Sequence, residues 1–358
     1  MIISDLKIHH LRNLDSLHLN LDPRFTFIIG PNGSGKTSIL EGLYLLSCGH
    51  SFRSREIAPI ISHNHTNMTV FARALDESTV SIQKSKAHPT QIKLNNQLCT
   101  TTSQLAYAMP AQIFYSDIFQ IIDASSSVRR SVLDWGLFHV KHNYLALWKE
   151  YRKVLKQRNA LLKTNQNYAN FIPWDKQLHD LANQLDHSRY EYFVLWQDTF
   201  YKVLSELTQT KCTLQYFKGW DKKGLGTDLF ELLQESFVSD KLKTFTQLGA
   251  HHADLLIESN DIKAKHVLSR GQQKIILIAL KLAQAELLER ECLFLFDDFA
   301  AELDLHHQEN LFNYLSRSKG QFVFTATQEI SPSHLGREPT IINLNNVPRE
   351  TLAESLVV

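Results

Sequence analysis

Residues 30–37, Gly30-Pro31-Asn32-Gly33-Ser34-Gly35-Lys36-Thr37, match the pattern GxxxxGK[ST] in full. Glycines let backbone N–H groups crowd round phosphate oxygens, and the helix that follows adds a favourable partial charge at its N-terminus. Lys36 then reaches the outer phosphates and Thr37, followed by Ser38, can hold Mg2+. Farther on, Cys292-Leu-Phe-Leu-Phe296 is an apolar run ending in Asp297-Asp298. A carboxylate at the end of a parallel strand beside such a loop is where Mg2+ is held, which assigns Asp297 to the metal with Thr37. The next acid, Asp298, is placed to orient or deprotonate an attacking water. Between these lies Leu268-Ser269-Arg270-Gly271-Gln272-Gln273-Lys274, ahead of the amphipathic run IILIALKLAQAELL. Ser269 is a good N-cap and Gly271 permits close approach, so a hydroxyl and several amides leave one helix end as a second anion-binding device. A glycine turn or a capping serine explains each piece alone, but not the three together.

These groups need strands and helices to bring them together. Phe25, Phe27, Ile28 and Ile29 read as a buried parallel strand entering the glycine loop, and Ile39, Leu40, Leu43 and Leu46 as one face of the helix leaving it. Residues 2–21 alternate as two strands joined by Arg12-Asn13, which are turn residues on pattern alone, and lead into the Asp22-Pro23 turn. Residues 66–98 are strand-rich, with Asn95-Asn96 as a hairpin turn. Gln112 starts a further strand-prone run. Ser125 caps a helix carrying Leu133, Trp135 and Phe138, and the pattern stays helical to about residue 208, forming an antiparallel arm whose segment 174–207 spans roughly 50 Å if continuous. Lys149, Arg152, Lys153, Lys156 and Lys163 share a face opposite Tyr151, Val154, Leu155 and Leu162. That face is either a solvated surface or a contact to the DNA backbone.

Composition bounds the partners. A chain of 358 residues, 43% hydrophobic and 21% charged, is that of an ordinary soluble globular protein long enough for two lobes. The formal net charge of +1 means that any nucleic-acid contact must rest on a local patch. Four cysteines, Cys48, Cys99, Cys212 and Cys292, form no C-x-x-C pair, which argues for a reducing, cytoplasmic setting rather than a disulfide framework. Asp5, Lys7, His9 and His10 interrupt the N-terminus, so it is no signal peptide, and no apolar run approaches the roughly 18 residues of a membrane span.

Glycine loop, LSxGQ element and strand-Asp-Asp together resemble the ABC-type ATPases. Lys36 and Ser269 stand 269 − 36 = 233 positions apart. That is too long for a compact transporter ATPase and far too short for chromosome-organising relatives with a long coiled-coil insert. The chain is most similar to the RecF family, through LRNLDSLHLNL, LEGLYLL, SFR at 51–53, VRRSVLDW at 128–135, QRNALLK at 157–163, LSRGQQK and FDDFAAELD at 296–304. It departs at Gly249-Ala-His-His-Ala-Asp254, where the family has GPHRDD, and at Thr325-Ala326, where no switch histidine follows the strand.

The resemblance implies an α/β fold, an ABC-type ATPase head of residues 1–118 and 246–358 with a mainly helical arm, 119–245. It also implies ATP and Mg2+ as cofactors and Arg12 and Asn13 as further nucleotide contacts beside residues 30–38, Ser269, Gly271 and Gln272. Gln112 would join Lys36 and Asp298 in catalysis. The activity implied is a slow ATPase that dimerises on ATP, with Ser269 of one protomer facing the phosphates of the other. The implied partners are DNA near single-strand/double-strand junctions and RecR with RecO, with no membrane, in recombinational repair. A transporter-type ATPase subunit would need a membrane partner and an outsized docking subdomain. A P-loop kinase would leave the LSRGQQK element and the arm without a role.

Overall fold

The five residues Phe25–Ile29 (β3) are all buried, as an interior strand of a parallel sheet covered on both faces must be. The structure is a computed structural model and describes residues 1–115, 122, 125–222, 224–260, 262–299, 303–328 and 335–346. They group into two units, residues 1–118 with 289–358 and residues 119–288.

In the first unit β3 belongs to a five-stranded parallel sheet of order β14 (Thr340–Asn343), β3, β13 (Gln321–Ala326), β12 (Leu293–Phe296) and β8 (Ala111–Phe114). Four aromatic rings align it. Phe27 stacks on Phe324, Phe324 on Phe296 and Phe296 on Phe114, with centroids 4.7, 4.7 and 4.3 Å apart. Such stacked pairs add to the burial term and fix register, so the strand ends that follow Phe27 and Phe296 emerge at one level on either side of β13. A second, antiparallel sheet runs β2 (Leu14–Asn20), β1 (Ile3–Leu11), β4 (Asn67–Ala74), β5 (Thr79–Ser85), β6 (Gln91–Leu94) and β7 (Gln97–Leu98). Asn95 and Asn96 both take positive φ, 50° and 63°, as the two-residue hairpin requires.

Helix α1 (Lys36–Cys48) departs from the one-faced pattern read in the sequence. It is buried on nearly every side, including Glu41, Gly42 and Ser47. The reason is that Ile39, Leu40 and Leu43 share one core with residues of both sheets, Ile8, Met68 and Ile82 of one and Ile28, Leu295 and Val323 of the other. A Cβ at Gly42 would stand 3.0 Å from Ile8 Cδ1, so glycine lets the helix approach β1. Helices α2 (Thr102–Ala108) and α10 (Leu305–Arg317) complete this unit.

The second unit holds α3 (Ser126–Val140), α4 (Tyr144–Leu161), α5 (Ile172–Leu207), α6 (Leu229–Glu235), α7 (Phe237–Lys243), α8 (Ala264–Val267) and α9 (Arg270–Glu286). Its sheet is β9 (Thr213–Phe217), β10 (Asp254–Ser259) and β11 (Ile262–Lys263), with β10 in the middle. Here the expected boundary moves. Residues 246–288, assigned to the head from the sequence, group with the helices, because β10 pairs with β9 and Trp196 Nε1 of α5 donates to Leu280 O of α9 at 2.9 Å. Ser125 sits at the N-cap of α3, yet its side chain makes no capping hydrogen bond.

A buried ionic knot ties three helices. Arg158 of α4 donates to Asp175 of α5 at 2.6 Å and to Asp240 of α7 at 2.7 Å, and all three are fully buried. Such a group is costly to desolvate and holds only with its partners intact, so it specifies one arrangement of these helices.

His251 is held neutral in the same unit. Its Nε2–H donates to Thr246 O at 3.0 Å and the Tyr151 hydroxyl donates to its Nδ1 at 2.6 Å. Burial, foremost, takes its pKa from 6.5 down to about 3. The unfolded imidazole therefore takes up a proton at a pH where the folded one does not. The neutral ring adds no pH dependence above about pH 6.5, and stability is lost progressively as pH falls from there towards 3, by roughly 1 kcal/mol at pH 5.5. Thermal melts of the parent and His251→Gln between pH 7.5 and 5 should diverge below pH 6.5, with only the parent losing this increment.

Candidate nucleotide-binding site

The glycine loop leaves β3 and turns into α1 through two left-handed glycines, Gly33 (φ 80°) and Gly35 (φ 101°). A Cβ on Gly35 would press on Leu14 Cδ2 at 2.5 Å, and the left-handed backbone disfavours any side chain there whatever the space. Pro31, Asn32 and Gly33 are exposed, whereas Gly35, Lys36 and Ser38 are buried. Lys36 Nζ donates to the carbonyls of Gly30 and Pro31 at 2.7 and 2.9 Å, which draws the loop round its ammonium. Burial lowers the Lys36 pKa from its ordinary value, while the charges of Asp298 and Asp297 oppose that fall. Ser34 Oγ is buried with no hydrogen-bond partner among the described residues, a hydroxyl inside the loop able to donate to a phosphate oxygen.

The strand-end acids meet this loop. Thr37 Oγ1 lies 3.0 and 3.1 Å from the two oxygens of Asp297, across 260 positions of sequence. The Asp297 N–H donates to Phe114 O, so the strand ladder continues to the residue that must be aimed. Burial, foremost, raises the Asp297 pKa and the charge of Asp298 adds to it, while hydrogen bonds from Thr325 and Thr37 pull it back. A hydroxyl and a carboxylate converging on one point form a hard-oxygen donor set of the kind Mg2+ takes, so the residues present fit that ion. Asp298 is exposed and takes a left-handed φ of 46°, uncommon for a residue with a side chain.

The Arg12-Asn13 turn divides in two. Asn13 Nδ2 donates to Gly33 O at 2.8 Å and its Oδ1 accepts from Ser38 Oγ at 2.9 Å, so it spans the loop from both ends. Arg12, with φ 56°, faces the other way. It makes a bidentate pair with the fully buried Glu41 of α1 at 2.9 and 2.7 Å and donates to Pro59 O at 2.6 Å. Ser51 also donates to Glu41. Of the expected pair, only Asn13 touches the loop, because Arg12 is fixed beneath it by the carboxylate of α1.

Gln112 is likewise set back. It is 5% exposed in β8 and stands opposite Phe294, three residues short of Asp297, so the strand register leaves it in the sheet interior and not beside the acid pair. Sequence reasoning missed Glu41 and Ser51, and it singled out Thr325 only as standing where a switch histidine is absent. Two of the three leave a signal in the chain: Glu41 interrupts the apolar run ILEGLYLL, and Thr325 interrupts FVFTA.

The LSxGQ element lies in the second unit. Ser269 Oγ accepts from the Gln272 N–H at 3.3 Å and Gln272 Oε1 accepts from the Ser269 N–H at 2.9 Å, closing a capping box at the start of α9. The Gln272 side chain is thereby folded onto its own helix, while Ser269 stays exposed. Lys149, Arg152, Lys153, Lys156 and Lys163 are all exposed, opposite buried Tyr151, Val154, Leu155 and Leu162. The Arg152 guanidinium lies 5.3 Å from the Trp148 ring centroid. Among the described residues no helix is long and apolar enough to cross a membrane.

Comparison with known proteins matches residues 2–335 to the RecF/RecN/SMC N terminal domain. A DNA replication and repair protein RecF of Francisella tularensis subsp. novicida (strain U112) is 36% identical over 336 residues, 92% of this chain and 95% of that protein. The protein of the same name from subsp. holarctica (strain LVS) is 35% identical over the same shares. Among solved structures, the recombination mediator protein RecF with ATP, of the RecFOR pathway, has a TM-score of 0.81 at 24% identity and covers 92% of each chain. An Smc head bound to the C-winged helix domain of ScpA has a TM-score of 0.59 at 15% identity, covering 93% of this chain and 92% of that one. These structures share the ATPase-head fold.

Proposed function

Since this chain belongs to the RecF/RecN/SMC N terminal domain family, and within it to the RecF replication and repair proteins, we propose that it is an ATP-driven switch acting on DNA in recombinational repair. The observation that carries this reading is the convergence of Thr37 Oγ1 on both oxygens of Asp297, beside the Lys36 ammonium. Lys36 would neutralise the outer phosphates, and the glycine loop and Asn13 would hold them in place. Mg2+ on Thr37 and Asp297 would supply charge neutralisation and Lewis acidity at the same oxygens. Asp298 would orient a water in line with the terminal phosphorus and accept its proton as the water oxygen bonds to phosphorus and the bond to the β-phosphate oxygen breaks.

Ser269 of a second copy would complete the site, so ATP closes a dimer and hydrolysis opens it. Binding energy of the shared nucleotide drives the closed state, as a switch requires. The arm face of Lys149, Arg152, Lys153, Lys156 and Lys163 would follow the DNA backbone near single-strand/double-strand junctions. RecR with RecO would act beside it in loading the recombinase. Neutralising those five side chains should weaken DNA binding and reduce the log–log salt slope by about one unit for each phosphate they neutralise in the parent, measured by anisotropy titration between about 50 and 200 mM salt.

Light scattering with ATP tests the switch directly. The parent protein should double in mass with Mg2+-ATP, and Lys36→Ala should stay monomeric while still folding cooperatively. Normal ATP-induced dimers of Lys36→Ala would refute the phosphate role. A transporter-type subunit would instead need a membrane partner before it paired.

A further inference from the structure

Thr325 is the penultimate residue of the central strand β13, follows the apolar run Phe322-Val323-Phe324, and is fully buried. Its hydroxyl reaches both acids. Oγ1 donates to Asp297 Oδ1 at 2.8 Å and accepts from the Asp298 N–H at 2.9 Å, while its own carbonyl accepts from the Phe299 N–H at 3.1 Å. The next residue, Ala326, offers its carbonyl to the Gly30 N–H that opens the glycine loop. One residue thus contacts three successive residues of the acid turn, and its neighbour contacts the loop that faces them.

The backbone at Asp298 gives this contact its use. A left-handed aspartate is strained and persists only where its surroundings over-determine it. The Thr325 hydroxyl supplies an acceptor for its N–H, and the same oxygen orients the neighbouring carboxylate. We propose that Thr325 is a positioning residue, its hydroxyl acting as a single-atom clamp that fixes Asp297 and Asp298 relative to each other. The inference rests on the ATPase reading for its effect on turnover, but the clamp itself is a property of the folded chain. Removing the hydroxyl frees the turn to relax, so Asp298 swings off line while Lys36 and the glycine loop are untouched. A displacement near 1 Å is worth about a hundredfold in rate.

Thr325→Val removes only the hydroxyl at nearly constant volume, and Thr325→Ser keeps it. The valine variant should lose roughly ten- to hundredfold in kcat, with the affinity for a fluorescent ATP analogue without Mg2+ within about threefold of the parent. Its half-saturating Mg2+ concentration should rise several-fold, and serine should restore kcat to within about threefold. Amide hydrogen exchange of a peptide covering residues 296–299, measured without nucleotide, should be faster in the valine variant than in the parent or the serine variant. Parent-like exchange in Thr325→Val, or an equal loss of turnover in Thr325→Ser, overturns the clamp. If Thr325→Val does not fold, Thr325→Ala against Thr325→Ser makes the same comparison, and equal behaviour of those two overturns it. A parent without ATPase activity would sink the ATPase reading, while the exchange measurement would still decide the clamp.

Discussion

Asp298→Asn is expected to lower single-turnover ATP hydrolysis by two to three orders of magnitude while nucleotide affinity stays within a few-fold. The substitution keeps shape and removes only the charge and the basic oxygen, so the left-handed turn and its N–H to Thr325 should survive. General-base assistance contributes about 10²–10⁴-fold, which sets the size of the loss. An ATP-bound dimer should then accumulate on DNA. Asp297→Asn should behave differently, since it weakens the oxygen pair with Thr37 and should raise the Mg2+ requirement for nucleotide binding. Quench-flow hydrolysis and dimer lifetime, measured for both variants beside the parent, separate the two roles. Parent-like hydrolysis by Asp298→Asn would mean that another residue positions the water. The parent itself should turn over below the common range of about 1–10³ s⁻¹, because aspartate is one methylene shorter than the glutamate found in most ABC ATPases and aligns water less well.

Ser269 supplies the second large effect, and the capping box sharpens its test. Ser269→Arg should abolish hydrolysis while each monomer still binds ATP, since the exposed hydroxyl would serve the partner's nucleotide. Arginine also removes the cap, at about 1 kcal/mol, so the melting temperature should fall by a few degrees. Ser269→Asp isolates the two contributions. Aspartate caps as well as serine but sets a carboxylate against the partner's phosphates, so stability should hold while hydrolysis and ATP-induced dimerisation disappear. Hydrolysis by the parent should fall faster than linearly on dilution. A specific activity unchanged at all dilutions, or an active Ser269→Asp, would rule out a site completed in trans.

Local patterns carried most of the fold. The glycine loop, the strand before Asp297-Asp298, the Asn95-Asn96 hairpin and the 172–207 helix each depend on neighbours within a few residues, and each reads directly from the chain. Residues whose role depends on distant partners did not. Arg12 is a turn residue by pattern, and only the fold brings Glu41 beneath it. Gln112 falls out of the acid pair through a strand register that no periodicity records. The burial of α1 on nearly every side follows from two sheets sharing one core, and the shift of residues 246–288 follows from the pairing of β10 with β9. Thr325 stood in plain view as the one polar residue between Phe322 and Ala326, but its use depends on the turn at Asp298, 27 residues upstream in the chain.

The hydrogen bond from Trp196 to Leu280 has a mechanical meaning. Helix α5 has 36 residues and is therefore about 54 Å long, and Trp196 lies roughly two-thirds of the way along it. Its indole is fully buried and fixed to the backbone of α9, the helix whose first turn carries Ser269. Gln284 of α9 repeats the attachment, its Nε2 donating to the Tyr192 hydroxyl of α5 at 3.4 Å and to Val132 O of α3 at 2.7 Å. A load applied near residue 172 therefore acts on a rod bolted to the signature helix, with about 36 Å of lever arm on the loaded side. A tilt of about 3° would move that end by about 2 Å and carry Ser269 with it in the same rigid rotation.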